Sequence, residues 1–433
     1  MVNPTPRSTD VHAGAAEIDI TPPIGGRMAG YGARTQVSQG IHDPLHAGLL
    51  YFKKESAQML LICLDLICVD LSFTNRVRAA IQQATGIPAN AILLACSHTH
   101  SGPDGFMLDM PALKSWPDPE LQDMLIRKLS GAARWAQQSA RPARLSRGLN
   151  RADGIGLNRN DPQSGPSDPQ VILLRVDDEN GRPLAVLFNF GCHPTIMGYD
   201  NLLLSADYPG AAKAALRQHY PDTVFLFTNG AAGDVSTRFT RRSQGFPEVQ
   251  RMGLILAGAV LSAMQTSHPL PVEQIAAALE PVTLPLRVFP EPAQAEAKLA
   301  EQRQNLAKLQ AANAPSGEIR KAITRAEGAQ GQVVMSKEFA GQTHFETEIQ
   351  ALHIGAMNLI ALPGEPFTRT VREIKAMNHF PVMVISYAND YKGYFPDATS
   401  VQQGTYEALT SPYDHTAAEI LLETARKWIP ADE

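Results

Sequence analysis

The stretch Ala91-Ile92-Leu93-Leu94-Ala95-Cys96-Ser97-His98-Thr99-His100-Ser101-Gly102-Pro103 runs an apolar hexapeptide directly into two histidines and a Gly-Pro turn. A short apolar run closed by Gly and Pro reads as a buried strand ending at a loop. In α/β proteins, sites are commonly built where strands leave the core. At strand spacing, residues i and i+2 share a face, so the sequence predicts both rings entering one pocket. Imidazole is the commonest metal ligand and titrates near neutral pH. Taken alone, a His-x-His pair fits a metal site and a pair of satisfied polar residues equally well.

Strand and helix patterns alternate on either side of this stretch. Leu49 to Lys53 and Leu60 to Val69 read as strands, and Ser72 to Ala84 and Pro119 to Gln137 as helices. Val171 to Val176 and Leu184 to Phe190 are strand-like, joined by the turn residues Asp178-Glu179-Asn180-Gly181. Asp207-Tyr208-Pro209 predicts a helix running to His219, with Asp207 as its cap. Val224 to Thr228 is a strand closed by Asn229-Gly230-Ala231-Ala232-Gly233. A helix over Val249 to Gln265 and strands between Ala276 and Val288 follow.

From Glu291 to Lys337 the chain is rich in Ala, Gln, Glu, Lys and Arg, and Pro315-Ser316-Gly317 breaks it. Leu299, Leu306 and Leu309 fall at helical spacing, which predicts a helical hairpin. Such an arm packs, dimerises or caps a site more often than it performs chemistry. Strand patterns resume at Glu348 to Ile354, Leu359 to Leu362 and Val382 to Tyr387, with a helix over Thr368 to Met377. The expected fold class is α/β: a mixed β-sheet core flanked by helices, with an inserted helical hairpin arm. No repeat or long polar linker divides the chain. The expected organisation is therefore one domain, 13–430, with the arm, 291–337, inserted within it.

Hydrophobic residues make up 44 % of the 433 residues and charged residues 19 %, a composition suited to a soluble enzyme. A net charge of -5 gives no reason to expect nucleic acid or an anionic membrane as partner. Met1 to Ser8 lacks the charged-then-apolar build of an export signal. The most apolar stretch, Met59 to Leu71, is short and contains Asp65 and Asp70, so no transmembrane segment is expected. Cys63, Cys68, Cys96 and Cys192 sit in apolar runs without Cys-x-x-Cys spacing and read as reduced core residues. A cytoplasmic location is expected.

Four further constellations lie at element ends. Phe188-Asn189-Phe190-Gly191-Cys192-His193-Pro194 brings a third histidine to a strand tip, and Pro194 restricts His193 to extended backbone. Pro363-Gly364-Glu365-Pro366 sets a carboxylate at an apolar strand exit, where it also suits capping of the next helix. Ala388-Asn389-Asp390-Tyr391-Lys392-Gly393-Tyr394 precedes Tyr406-Glu407, and tyrosines are usually packing residues. Gly230-Ala231-Ala232-Gly233-Asp234-Val235-Ser236 is a Gly-rich turn without the spacing of a P-loop or of a nucleophile elbow.

In order, His98-Thr99-His100-Ser101-Gly102-Pro103, Asn158-Arg159, Cys192-His193-Pro194, Ser205-Ala206-Asp207-Tyr208-Pro209-Gly210, Gly233-Asp234-Val235-Ser236, Pro363-Gly364-Glu365 and Tyr391-Lys392-Gly393-Tyr394 resemble the neutral/alkaline non-lysosomal ceramidase family. Ala16-Glu17-Ile18-Asp19-Ile20-Thr21-Pro22-Pro23 and Gly40-Ile41-His42 are similar too. The resemblance runs from about Ala13 to Glu407. It implies a zinc-dependent amidase cleaving an N-acyl bond, with ceramide or a smaller N-acyl compound as the small-molecule or lipid substrate.

By that resemblance one zinc ion would be held by His98, His193, Glu365 and Tyr394. His100 would be the acid/base, with Arg159 and Tyr406 near the scissile carbonyl. Ser236 matches a serine once favoured as nucleophile in such enzymes, and a supporting or substrate-contacting role suits a zinc mechanism better. The residue types agree with this chemistry. Imidazoles and a carboxylate make a common hydrolytic zinc set, and zinc lowers the pKa of water to about 7. An amide leaving group needs a proton donor.

The chain departs from the family pattern in places. Long ceramidases carry a C-terminal immunoglobulin-like domain, whereas this sequence ends soon after Tyr406. Thr237-Arg238 stands where those enzymes have Pro-Asn, and Asp104 where they usually have glycine. Arg238, Arg241 and Arg242 read as a solvated face, or as receivers of an anionic group on the substrate. Asp43 and Asp104 are candidates for a second metal, and His42-Asp43 reads as a pocket contact or, at least equally, as a structural turn. Two other functions remain open: a serine hydrolase centred on Ser236 with His100 or His193 as base, and a non-catalytic, metal-stabilised binding protein. The arm is the expected surface for any homo-oligomer.

Overall fold

Eight apolar or alternating segments pair into the main sheet. The computed structural model describes residues 11–107, 116–379 and 382–430; Met1 to Ser8, read above for a leader pattern, lies outside the described residues. The strands are β1 (Val11–Asp19), β2 (His46–Lys54), β3 (Ala57–Leu64), β4 (Ile92–Cys96), β5 (Arg141–Arg151), β6 (Gln170–Asp178), β7 (Pro183–Phe190) and β8 (Val224–Asn229). Their order is β8-β7-β6-β5-β1-β2-β3-β4, and the two-residue strand His268–Pro269 pairs on β5. The pairs β3/β4 and β7/β8 are parallel and the others antiparallel. The sheet is mixed, as the sequence predicts.

A parallel pair needs a crossover, and here each crossover contains a helix. Helix α1 (Leu71–Thr85) joins β3 to β4; Asp70 caps it by accepting from the Phe73 N–H, and Gly86 ends it in left-handed backbone. Its Phe73, Val77 and Ile81, four residues apart, face the sheet beside α2 (Pro119–Gln138). Helix α3 (Asp207–His219) joins β7 to β8 and packs with α4 (Phe246–Gln265) on the other half of that face.

The opposite face, with Phe52, Leu61, Leu93, Leu174 and Leu187, buries against a second sheet through Leu352, Leu359, Met383 and Ile385. In this sheet β9 (Ile275–Pro285) is the first strand. The arm follows as α5 (Pro292–Ala311) and α6 (Ser316–Glu338), then β10 (His344–Ile354), β11 (Met357–Ala361), α7 (Thr368–Lys375), β12 (Val382–Ile385) and α8 (His415–Trp428). Strand order is β9-β10-β11-β12, and α7 and α8 cover the outer face. Strands β9 and β10 pair from Ile275↔Ile354 to Pro285↔His344, so the arm sits on the turn of one long β-hairpin. It closes on itself through Ala295, Leu299, Ala329 and Val333.

Two local expectations are corrected. The strand read over Leu60 to Val69 stops at Leu64, because the carbonyls of Leu66 and Ile67 turn to serve His98. Asp207 opens α3 but does not cap it. Its φ is +55°, and its carboxylate accepts from the Ile196, Met197 and Tyr208 N–H groups, tying down the loop after His193. Strands β1 and β5 carry a weak strand signal, since β1 is rich in Ala and β5 has an arginine at every third or fourth position.

Candidate metal centre and active site

The site forms where the C-terminal ends of β4, β7 and β8 meet the segments that follow β11 and β12. The chain leaving β12 laces these ends together. The Ser386 N–H donates to Asn229, the Cys96 N–H to Tyr387 and the Asn389 N–H to Leu94. Five elements thus deliver side chains to one buried point.

His98 does not point inward as a strand residue. Strand β4 ends at Cys96, and His98 has φ +69°, a left-handed backbone uncommon outside glycine. Its N–H donates to Leu66 O at 2.9 Å and its Nδ1 to Ile67 O at 2.8 Å. The buried Asp65–Lys213 pair at 2.7 Å anchors that loop to α3. His98 and His100 do meet, with ring centroids 4.9 Å apart, but through this turn and not through strand alternation.

His193 is held in the same manner. Its N–H donates to Val235 O at 3.1 Å and its Nδ1 to Ala232 O at 2.5 Å. A carbonyl only accepts, so Nδ1 carries the proton in both His98 and His193, and each Nε2 lone pair is left for a ligand. His193 Nε2 lies 3.1 Å from Glu365 Oε2, and His98 Nε2 lies 3.8 Å from Glu365 Oε1. Glu365 is itself oriented by the Tyr387 hydroxyl at 3.3 Å and the Tyr391 hydroxyl at 2.5 Å. It caps no helix.

His100 stands beside this group, its Nε2 3.3 Å from that of His98. Gly30 (φ +103°) makes room for it: a Cβ there would lie 2.5 Å from His100 Nδ1. The Tyr31 ring packs 4.9 Å away, and Arg34 donates to the carbonyls of Ala29, His100 and Gly198. Burial pushes all three imidazoles well below the ordinary histidine value; Arg159 acts in the same direction on His100 and His193, while Glu365 opposes it at His98. They are neutral at pH 7, the form that binds metals. The His98, His100 and His193 donor atoms lie within 4.8 Å of one another. With Glu365 among them, this set suits a divalent ion of the zinc type.

Arg159 enters from the loop after β6's neighbour β5. Its Nε pairs with Glu407 Oε1 at 2.6 Å, its Nη2 donates to Gly233 O at 2.6 Å, and its guanidinium lies 5.3 Å over the Tyr394 ring. Against the lowering effect of burial, Glu407 and Tyr394 hold Arg159 firmly charged. Glu365 and Tyr394 are parallel-bridge partners, and the Tyr394 ring stacks 6.5 Å from His193. Burial raises the phenol of Tyr394 well above its usual value and raises that of Tyr406 too. Tyr406 opens the short helix Tyr406–Thr410, capped by Thr405.

Ser236 is buried and bridged to His193 through the backbone, and its Oγ accepts from the Arg238 N–H at 3.4 Å. Of the three arginines, Arg241 donates to Thr195 O at 2.6 Å and the Arg242 N–H to Glu248 at 2.9 Å, while Arg238 lies exposed near His193 and Tyr31. Asp43 accepts from Ser205 Oγ, the Ala206 N–H and His42, and Asp104 accepts from the Gly105 and Trp116 N–H groups. Asp43 thus ties its loop to the segment that opens α3. Tyr387, Tyr391, Tyr31 and Arg34 were not given roles from the sequence. In the sequence Tyr391 stands only as part of the Tyr391-Lys392-Gly393-Tyr394 motif and Tyr387 only as a strand end.

The family model described as neutral/alkaline non-lysosomal ceramidase, N-terminal, matches residues 12–243, just over half of the 433-residue chain. The chain belongs to that family. It is 26 % identical over 253 residues to neutral ceramidase A of Dictyostelium discoideum, covering 52 % of this chain and 35 % of that protein. It is 25 % identical over 238 residues to the neutral ceramidase of Mycobacterium tuberculosis, covering 48 % of this chain and 37 % of that one. The match thus spans little more than a third of these relatives' length. The crystal structure of neutral ceramidase from Pseudomonas aeruginosa superposes with a TM-score of 0.76 at 19 % identity, over 98 % of this chain and 75 % of that one. The shared fold therefore extends well past residue 243.

Proposed function

We propose that this chain hydrolyses an N-acyl amide bond, in ceramide or a smaller N-acyl compound, with zinc held by His98, His193, Glu365 and Tyr394. The observation that carries this reading is the convergence of two backbone-locked Nε2 lone pairs on one buried carboxylate. Membership of a ceramidase family supports the bond type. When bound, zinc would polarise the scissile carbonyl and make a water more acidic.

The residues divide the remaining work. His100, neutral and beside His98, takes a proton from the attacking water and delivers it to the departing nitrogen as the C–N bond breaks. Arg159 and Tyr406 donate towards the oxygen on which negative charge develops, a role often worth about 3 kcal/mol per donor. Ser236 supports the His193 strand end. Its Oγ faces a backbone N–H, which favours this role over that of nucleophile.

No described helix is long and apolar enough to cross a membrane. Four buried free cysteines suit a reducing compartment, and we place the protein in the cytoplasm. One domain over 13–430 and assembly through the exposed side of the arm complete the proposal, and the mass in solution tests the latter.

The decisive experiment is metal analysis of purified protein with an acyl-amide activity screen. His98→Ala should lose zinc and turnover, whereas His100→Ala should keep zinc and lose turnover. Equal zinc loss in both would make His100 a ligand. Activity surviving complete metal removal would favour Ser236 chemistry, and a metal-replete protein inert towards amides, esters and lactones would favour a binding role.

A further inference from the structure

We propose that Glu407 is the positioning residue for Arg159, aiming its guanidinium at the reacting carbonyl. Glu407 is 1 % exposed and Arg159's side chain 11 %, so their 2.6 Å contact is shielded from water. The second Glu407 oxygen accepts from Asn160 Nδ2 at 3.0 Å, which locks the carboxylate plane beside the arginine's own loop. A guanidinium offers five N–H groups in a fixed fork. Glu407 pairs with the guanidinium from its Nε side, without lying in line with the Nε–H, and Gly233 O takes one hydrogen of Nη2. The guanidinium lies 5.3 Å over the Tyr394 ring, and Tyr394 and Glu365 are both close enough to act on its charge.

The platform beneath Glu407 is rigid for its size. Arg287 donates to the carbonyls of Ala408 and Leu409 at 3.1 and 3.0 Å, fixing the end of the Tyr406–Thr410 helix. Helix α6 of the arm presses on its side at Gly328, where an added Cβ would lie 2.7 Å from Leu409 Cδ1. One short helix therefore sets Tyr406 and, through Glu407, Arg159. A misplacement of about 1 Å in such a donor can change the rate about 100-fold.

The inference rests on the amidase reading for its kinetic arm, so the test also contains an arm that does not. With dodecanoyl p-nitroanilide as probe, Glu407→Gln should lower kcat about 10- to 100-fold while KM stays within about twofold and zinc content is unchanged. Glu407→Asp keeps the charge one methylene back and should fall between wild type and Glu407→Gln. Added guanidinium should partly restore Arg159→Ala but not Arg159→Ala/Glu407→Gln. Independently of turnover, the slowly exchanging Arg159 Nε–H resonance, identified by its absence in Arg159→Ala, should collapse into the bulk arginine envelope in Glu407→Gln. An unmoved resonance, or guanidinium rescue that ignores Glu407, overturns the proposal. Wild type inert towards every N-acyl probe overturns the amidase reading instead, and the resonance still decides the role of Glu407. Should Glu407→Gln fail to fold, Glu407→Asp carries the same readouts.

Discussion

The histidine side of the site and the carboxylate side are held by different means. His98 and His193 each give Nδ1 to a backbone carbonyl, Ile67 and Ala232, and come from the region that matches the family model. Glu365 comes from beyond that region and is oriented by two side-chain hydroxyls, Tyr387 and Tyr391. A carbonyl partner cannot be removed by substitution, so the imidazole geometry belongs to the fold. The carboxylate geometry belongs to two tyrosines and is open to change. The difference teaches which half of the site a mutation can retune without dismantling it.

The comparison can be broken most directly at the ligands. His193→Ala should abolish zinc binding and turnover together, read by metal analysis and kinetics; retained stoichiometric zinc would make the backbone-held half dispensable. Next comes the side-chain-held half. Tyr391→Phe removes the 2.5 Å hydroxyl contact to Glu365 and should weaken zinc about 10- to 100-fold, as partners of metal ligands usually do. Competition with a chelator measures it, and an unchanged affinity would erase the contrast. Tyr387→Phe removes a longer contact, 3.3 Å, while keeping the ring stacked 3.8 Å from His98. Its effect should be smaller than that of Tyr391→Phe.

The smallest expected effect concerns stability. Burial pushes the Asp207 carboxyl, which holds the loop after His193, up to about 6 from its ordinary 3.8. A folded-state value above the unfolded one means that the protonated form favours folding. That contribution is present below about pH 4 and is lost as pH rises through about 6, on the order of 2–3 kcal/mol in all. Asp207→Asn, whose neutral amide tolerates the positive φ, should flatten the Tm profile over that range relative to wild type. Parallel profiles would show that Asp207 does not titrate there.

Much of this was legible in the sequence because it is local. The apolar run into His98 and His100 gave β4, and the turn residues gave the β6–β7 hairpin. The Pro315 break gave the two-helix arm. The reason both histidines meet was not legible, since a left-handed His98 is imposed by carbonyls contributed from the β3 exit. Nor were the partners of Glu365, 22 and 26 residues away, which meet it when β11 and β12 pair, nor that of Arg159, 248 residues away, which meets it when the second sheet docks on the first. Ala-rich β1 and arginine-bearing β5 escaped notice because their apolar signal is weak, although the pairing partners on both sides make them strands.

The arm has a consequence for how this scaffold diversifies. Pro285 and His344 are already paired where the arm departs, so its far end can lengthen, shorten or change composition without shifting the register of either sheet. Its near end, however, leans on the Tyr406–Thr410 helix at Gly328. Variation at the tip is therefore free of the chemistry, while variation around Gly328 is transmitted to it, so one appendage contains both a neutral and a constrained segment.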